Sequence, residues 1–390
     1  MKIASIYDFK AFPPKGGNHV HALQLMRRFM AEGHDVVTWG DDTVPGATSY
    51  PRTAAGAAAL LAEVDVLYVR IDANRLGADT ELVRLLKSAR RPMVWEINAP
   101  ANESLAYSWL GGDRDGGSGW FGQAVDRLRR RLHAWRQMPG IRAEERLRRE
   151  LAQRASAATC VSSSLARYAT EGLGIRRAVV LPNGADHLAD TPTGPVAELP
   201  AAFAGCLSVL YAGSPMYPWQ GLDVLEQTIA LCEAAGDPIR FVLLMNQQAP
   251  RAITARNTVT YVKVPHEMVS GYVRAVDVGV SIYPAYPWSP WGFHNSPMKM
   301  FDYMACGKTV IGSDVGQLRE LIVPGVNGLL FDNTPEDLRR RLLEVAAGRF
   351  DLAAIGAVAR AQVESTYNWQ HIARQTLDVM RDAVQRTTTH

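Results

Sequence analysis

Two kinds of hydrophobic pattern alternate along this chain. Residues 2–7 form a short apolar run, followed by a loop rich in Pro and Gly at 8–17. Over 19–32, Val20, Leu23, Leu25, Met26, Phe29 and Met30 recur at mostly helical spacing, which predicts a helix ended by Gly33. Further short apolar runs at 35–38, 64–70, 93–97, 158–161 and 178–181 predict strands. The alternation restarts after residue 205, with strands expected at 207–212, 239–245, 259–262, 278–283 and 309–312, and helices at 222–233 and 298–305. A last helical pattern covers 368–381. Strands that alternate with helices pair in parallel and build open, doubly wound sheets. Ligands of such sheets bind outside the carboxyl ends of the strands.

A chain of 390 residues is long for one core and favours two domains. The stretch 189–205, with Pro192, Pro195 and Pro200, reads as a linker. It separates an N-terminal domain, 1–188, from a C-terminal domain, 206–370, with a closing helix and tail at 371–390. The composition, 47% hydrophobic and 21% charged, is that of a soluble globular protein. No apolar run approaches the roughly 18 residues of a membrane span, and the N-terminus reads as a buried strand rather than a signal peptide. Cys160, Cys206, Cys232 and Cys306 lack CxxC spacing, so neither a zinc site nor a disulfide framework is expected. A cytoplasmic protein with no bound metal fits these features.

The most informative segment is 291–330, WGFHNSPMKMFDYMACGKTVIGSDVGQLRELIVPGVNGLL. Ser296 and Pro297 suit the N-cap and first turn of a helix. Free N–H groups at such a terminus, with the helix dipole, suit a diphosphate. Lys299 would add positive charge there. Asp302, about one turn on, can accept two hydrogen bonds from ribose hydroxyls. An ordinary capped helix would carry the same residues. The segment resembles the donor-binding motif of retaining GT-B glycosyltransferases, the family 4-like glycosyltransferase group 1, which reads roughly SPxKxxEYMAxGxPVVxSDxGGxxE. Ser296, Pro297, Lys299, Asp302, Tyr303, Met304, Ala305, Gly307, Val310, Ser313, Asp314, Gly316 and Glu320 match it, and Gly325, Asn327 and Gly328 extend the match. Many relatives carry two glutamates separated by seven intervening residues. Here Asp302 stands at the second position and His294 at the first.

Four shorter resemblances accompany it. Residues 211–225, YAGSPMYPWQGLDVL, are similar to the GS-x-KPWHG turn of one branch, through Gly213, Ser214, Pro218, Trp219, Gly221 and Asp223. The phosphate-contacting Lys of that turn is missing, its place taken by Tyr217, and Gln220 replaces the His. Residues 13–21, PPKGGNHVH, resemble the glycine-rich loop after the first strand; Gly16 and Gly17 would let the backbone approach a diphosphate or donor sugar, with His19 and His21 following. Residues 94–103, VWEINAPANE, resemble the branch's "EvNaPlxxE" element. Glu96 and Asn98 there could orient the acceptor or stabilise charge at the anomeric carbon, or the carboxylate could simply bond loop amides. Arg70 is a weaker candidate at a similar strand end. The turn at 182–186, PNGAD, matches the family's PNGvD and reads as mainly architectural.

The resemblance implies a GT-B fold of two Rossmann-like doubly wound domains. It also implies transfer of a sugar from a UDP- or GDP-type donor to a hydroxyl of a glycan, lipid-linked or small-molecule acceptor, with retention, no metal and no other cofactor. The implied catalytic group is Glu96, Asn98 and His21. The implied donor contacts are Gly16, Gly17, Gly213, Ser214, His294, Asn295, Ser296, Lys299 and Asp302. Two alternatives stay open: an inactive nucleotide-sugar-binding protein and a sugar-nucleotide epimerase. Charge adds one element. Residues 1–188 carry 26 Lys+Arg against 20 Asp+Glu, the remainder 16 against 19, and nine arginines lie in 126–150. With Trp120, Phe121 and Trp135 nearby, that stretch reads either as a basic amphipathic helix for an anionic membrane face or as a solvated helix paired with Glu144, Glu145 and Glu150. No stacking-aromatic pattern supports nucleic-acid binding.

Overall fold

The computed structural model describes residues 1–13, 16–40, 43–71, 76–110, 120–186, 195–249 and 253–388. Side chains at 120–127, 266 and 388 are outside that description, as are the linker residues 189–194 and Pro14 and Lys15 of the glycine-rich loop. The chain forms two compact units that are discontinuous in sequence. The first comprises Met1–Asn183, Pro287–Ser296 and Trp369–His390; the second comprises Gly184–Tyr286 and Pro297–Asn368.

The first unit is built on β1 (Lys2–Tyr7), α1 (Gly17–Ala31), β2 (Asp35–Trp39), β3 (Thr48–Tyr50), α2 (Ala54–Glu63), β4 (Val66–Arg70), α3 (Thr80–Ser88), β5 (Met93–Ile97), α4 (Leu105–Leu110), α5 (Trp120–Ala152), β6 (Ala155–Cys160), α6 (Ser163–Arg167) and β7 (Ala178–Val180). Its seven strands are parallel in the order β3-β2-β1-β4-β5-β6-β7. Central strands covered on both faces need unbroken apolar runs, and β4 and β5 are buried along their whole length. Ile6, Leu67, Val69, Trp95 and Leu165 lie in the core. Helix starts follow side-chain chemistry: Thr53 caps α2 by accepting from the Gly56 N–H, and Asp79 caps α3 by accepting from Leu82.

The second unit contains β8 (Leu207–Gly213), α7 (Leu222–Ala235), β9 (Ile239–Met245), β10 (Thr258–Val262), α8 (His266–Ala275), β11 (Val278–Ser281), α9 (Met298–Ala305), β12 (Thr309–Ser313), α10 (Gly316–Leu321), β13 (Leu329–Phe331), α11 (Pro335–Ala346) and α12 (Leu352–Ser365). Its six parallel strands run β10-β9-β8-β11-β12-β13. In each sheet the winding reverses once, between β1 and β4 in the first and between β8 and β11 in the second. Carboxyl ends at such reversals are where open sheets bind ligands. Gly213 ends β8, and Arg70 and Glu96 lie at the ends of β4 and β5. These are two Rossmann-like doubly wound sheets, as the alternation of patterns predicts.

Three elements complete the first unit. Helix α13 (Trp369–Thr388) packs on α1, with Arg374 paired to Glu32 at 2.7 Å and Arg177 to Asp382 at 2.7 Å. The segment Pro287–Ser296 lies against α4 and α6: Trp288 is roughly parallel to Trp109 at 6.4 Å, and Trp291 sits 5.4 Å from Tyr168. The hydroxyls of Ser162 and Ser164 donate to the carbonyls of His294 and Trp291. Helix α5 is seated by Ala134, Ile141 and a buried ion pair. The Glu144 carboxylate accepts from the Leu76 and Gly77 amides at 3.3 and 3.0 Å, while Arg148 donates to Glu144 and, at 2.9 Å, to the Ala99 carbonyl. Buried charges persist only when both partners are bonded in this way. Among the described residues no helix is long and apolar enough to cross a membrane.

Candidate functional site

In the first unit, Glu96 gathers His21 and Asn98, its companions in the implied catalytic group, and also Arg70, the weaker candidate. His21 Nε2 approaches its Oε1 at 2.8 Å, and Arg70 Nη1 reaches the same oxygen at 3.2 Å. Asn98, two residues on, donates to it through Nδ2. The β4–β5 register, in which Arg70 pairs with Glu96, sets the guanidinium beside the carboxylate. Helix α1 brings in His21, whose other nitrogen, Nδ1, lies 2.5 Å from Asn183 Oδ1. The Asn183 amide is oriented by its Nδ2, which donates to the Ser296 carbonyl at 2.7 Å. The two His21 nitrogens therefore face the side-chain oxygens of Asn183 and Glu96. Trp369 closes the ring edge-on at 5.1 Å.

Burial alone would raise the Glu96 pKa. The His21 and Arg70 charges and the hydrogen bonds from His21 and Asn98 outweigh it and hold the carboxyl at about 2. Glu96, His21 and Arg70 are all buried and Asn98 half-buried. A carboxylate so placed is a fixed negative charge; a base for neutral-pH proton transfer needs a pKa nearer the working pH. Asn183, read from the sequence as mainly architectural, ties His21 to Ser296 in the loop before α9.

The expected anion site at residues 296–302 differs in one detail. Pro297, not Ser296, occupies the N-cap of α9, without a side-chain cap bond. Ser296 is diverted: its hydroxyl accepts from the Asn183 N–H at 2.9 Å, so it cannot turn back onto the helix. Lys299 lies in the first turn and Asp302 three residues on, positions that share one helix face. Asp302 and Lys299 are both half-buried. The Lys299 ammonium donates to Gln220 Oε1 at 2.7 Å and stands 4.3 Å from the Tyr211 ring and 5.2 Å from the Tyr283 ring. Burial pushes the Lys299 pKa down to about 7. Sequence reasoning noted Gln220 only as a replacement for His and missed both tyrosines.

The glycines divide by cause. A Cβ on Gly213 would lie 2.7 Å from Tyr211 Oη and 3.0 Å from Gln220 Oε1, so this glycine is required by the packing that holds Gln220. Gly221 has φ +64° and a Cβ there would strike Ile282 at 2.3 Å. Gly16, by contrast, is extended at the start of α1, and a Cβ would meet only Asn18 Oδ1 and His19 Nδ1 at ordinary distances. Gly17 begins that helix. Ser214 is buried just past β8, and its hydroxyl accepts from the Met216 N–H at 3.4 Å. His294 is buried, with Nε2 3.6 Å from Glu103 Oε1, and Asn295 is half-buried beside it.

Comparison with known proteins adds a family. Residues 207–347, nearly the whole second sheet with its helices, match the model for glycosyl transferases group 1. Alpha-maltose-1-phosphate synthase of Mycolicibacterium smegmatis is 29% identical over 164 residues, 39% of this chain and 40% of that protein. The chain thus matches less than half the length of this curated relative. Among solved structures, sucrose-phosphate synthase from Thermosynechococcus elongatus superposes with a TM-score of 0.69 at 16% identity, over 99% of this chain and 100% of that one. HepE of Anabaena, solved in complex with UDP, gives 0.66 at 15% identity, over 98% and 100%. The chain has the GT-B fold, and its residues 207–347 match the glycosyl transferases group 1 family.

Proposed function

We propose that this protein is a glycosyltransferase that moves a sugar from a nucleoside-diphosphate donor, UDP- or GDP-linked, to a hydroxyl acceptor with retention of configuration. The observation that carries the reading is the pairing of Lys299 and Asp302 on one face of the first turns of α9, inside the segment that matches the family. The α9 N-terminus supplies N–H groups for the diphosphate, Lys299 its counter-charge, and Asp302 the acceptor for ribose hydroxyls. With no lysine in the 213–221 turn, Gln220 takes over by holding the Lys299 ammonium in place. Ser214, at the end of β8, is a further donor contact.

In the first unit, Gly16 and Gly17 offer backbone N–H groups at the start of α1, and nothing within the fold demands glycine at Gly16. His21 and Asn98 are both held by Glu96, so Glu96 acts by positioning them rather than as the proton acceptor. His294, Asn295 and Ser296 complete the set of proposed donor contacts. HepE binds UDP in its crystals, which favours uridine for the base.

The test is a nucleotide-release assay with UDP- and GDP-sugars against glycan, lipid-linked and small acceptors, with the anomeric proton coupling of the product read by NMR. Turnover with an unchanged anomeric configuration is expected. Nucleotide binding with no transfer to any acceptor would favour a binding protein, and rearranged donor in the absence of acceptor an epimerase.

A further inference from the structure

Helix α5 has two opposite faces of unlike purpose. One is the seated face already described, through Ala134, Ile141, Glu144 and Arg148. Half a turn away lies a second row, Leu128, Leu132, Trp135, Arg142 and Arg146, spaced at three, four and seven residues and so aligned along the helix. This row faces outward: Leu128 is 59%, Leu132 48% and Trp135 73% exposed. A solvated helix, one of the two readings the sequence leaves open, would carry polar residues here. Two leucines and a tryptophan in line, each substantially exposed, are instead an apolar strip about 10 Å long at 1.5 Å per residue. Tyr107 and Trp109 of α4 are exposed as well.

The strip lies in a field of one sign. Between Asp126 and Glu144 the helix has no carboxylate, while Arg131 and Arg136 flank the strip and Arg142 continues it, all exposed. We infer that the outer face of α5 seats the protein on an anionic lipid bilayer, with Leu128, Leu132 and Trp135 entering the headgroup–acyl boundary and the arginines pairing with lipid phosphates. The charge pattern selects this occupant over two others. A second copy apposed through the same row would bring arginine against arginine, which is repulsive. A nucleic acid would satisfy the arginines and leave the leucines in water, since its surface is phosphate. A bilayer offers phosphate and hydrocarbon at successive depths, matching arginines that reach up and apolar side chains that reach down. Trp at that depth is a favoured anchor.

The experiment is co-sedimentation of the full chain with vesicles of phosphatidylcholine alone or with phosphatidylglycerol added, without donor, so that its outcome is independent of the proposed activity. Wild type should pellet with anionic vesicles and stay in solution with neutral ones. Changing Arg131, Arg136 and Arg142 together to Gln should weaken association on the order of 100-fold, because each basic residue near such a surface accounts for a factor of about 5. Changing Leu128, Leu132 and Trp135 together to Ser should weaken it at least ~10-fold while the charge stays the same. All six positions are exposed, so circular dichroism should report wild-type folding for both variants. Salt at 0.5 M should release the Ser variant more readily than wild type, whose apolar row resists screening. Wild type left in the supernatant with anionic vesicles at low salt overturns the inference. So does binding that the Ser variant retains in full, which would reduce the contact to charge alone, or a lipid-free dimer abolished by the Ser variant, which would assign the strip to a second copy.

Discussion

Lys299 is a half-buried amine whose hydrogen-bond partner is the neutral oxygen of Gln220 and whose neighbours are the faces of Tyr211 and Tyr283. Its pKa of about 7, against an ordinary 10.5, means that near neutrality the ligand-free protein carries a mixture of ammonium and amine there. A diphosphate at the α9 N-terminus would supply the missing counter-charge and restore the proton. At pH 8 the free site is roughly 10% protonated and the bound site nearly fully, so binding should take up ~0.9 proton per nucleotide. The sign follows for affinity: the bound form has the higher pKa, so binding is favoured at low pH and weakens as pH rises above 7. Between pH 7 and 9 the loss should be on the order of 50-fold, about 2 kcal/mol. Calorimetry of the nucleoside diphosphate in two buffers of different ionisation enthalpy reads the proton count directly. Lys299→Met should bind weakly with no proton uptake, and Lys299→Arg should bind without the pH slope, because guanidinium stays charged throughout. A wild-type binding enthalpy that is the same in both buffers at pH 8, or flat affinity from pH 7 to 9, would refute the placement of Lys299 at the phosphates.

Three further outcomes are expected. Asp302→Ala should weaken nucleotide binding by roughly 1.5–3 kcal/mol, the range for hydrogen bonds to a charged group, with Asp302→Glu largely tolerated; unchanged affinity by calorimetry in a folded Ala variant would end that assignment. Gly213→Ala should lower the melting stability by about 1–3 kcal/mol and disturb the Gln220–Lys299 bond, since the added Cβ lies 2.7 Å from Tyr211 Oη; an unchanged melting temperature would contradict the packing. The Glu96 carboxyl sits below its ordinary value of 4.5, near 2, so its contribution to stability is complete above about 4.5 and disappears as pH falls toward 2; Glu96→Gln should lower stability at neutral pH and flatten that part of the acid-unfolding curve, and an acid profile identical to wild type would remove the ionised carboxylate from the account.

The repeated strand–helix pattern makes both sheets legible because parallel strands buried on two faces must be apolar along their length. The short edge strands β3 and β13 escape such a reading, since three residues give no periodicity; β7, equally short, is legible because it lies within the apolar run 178–181. The discontinuity of the units escapes it too. Trp288 and Trp291 look like aromatic loop residues in sequence, and only the hydroxyls of Ser162 and Ser164, more than a hundred residues away, say what the segment is held to. At the site, residue identities at Lys299, Asp302, Glu96 and His21 were readable one by one. Their partners were not, because Arg70 meets Glu96 through strand register and Asn183 meets His21 across 162 positions of sequence. Pairing of that kind is a property of topology.

Gln220 links what was legible to what was not. As a sequence feature it is a departure, an amide where relatives of one branch carry His, beside a turn that has lost its lysine. In the fold the two departures are one arrangement. Gly213 keeps its Cβ out of the way, Tyr211 donates its hydroxyl to the Gln220 carbonyl at 2.9 Å, and the Gln220 side chain reaches Lys299. An amide oxygen can hold an ammonium without neutralising it, whereas a carboxylate would form an ion pair that a phosphate would have to break. The turn therefore keeps one positive charge oriented and uncommitted. A charge so held costs stability while the site is empty, which is why the Lys299 pKa falls, and regains it when an anion arrives. The consequence is testable in the free protein: unfolded chains bind the Lys299 proton between pH 7 and 10.5 and the folded chain does not, so ligand-free stability should rise with pH across that window. Lys299→Met should remove this slope, and saturating nucleoside diphosphate should remove it from the wild type. If the wild-type slope persists with ligand bound, the anion does not reach Lys299.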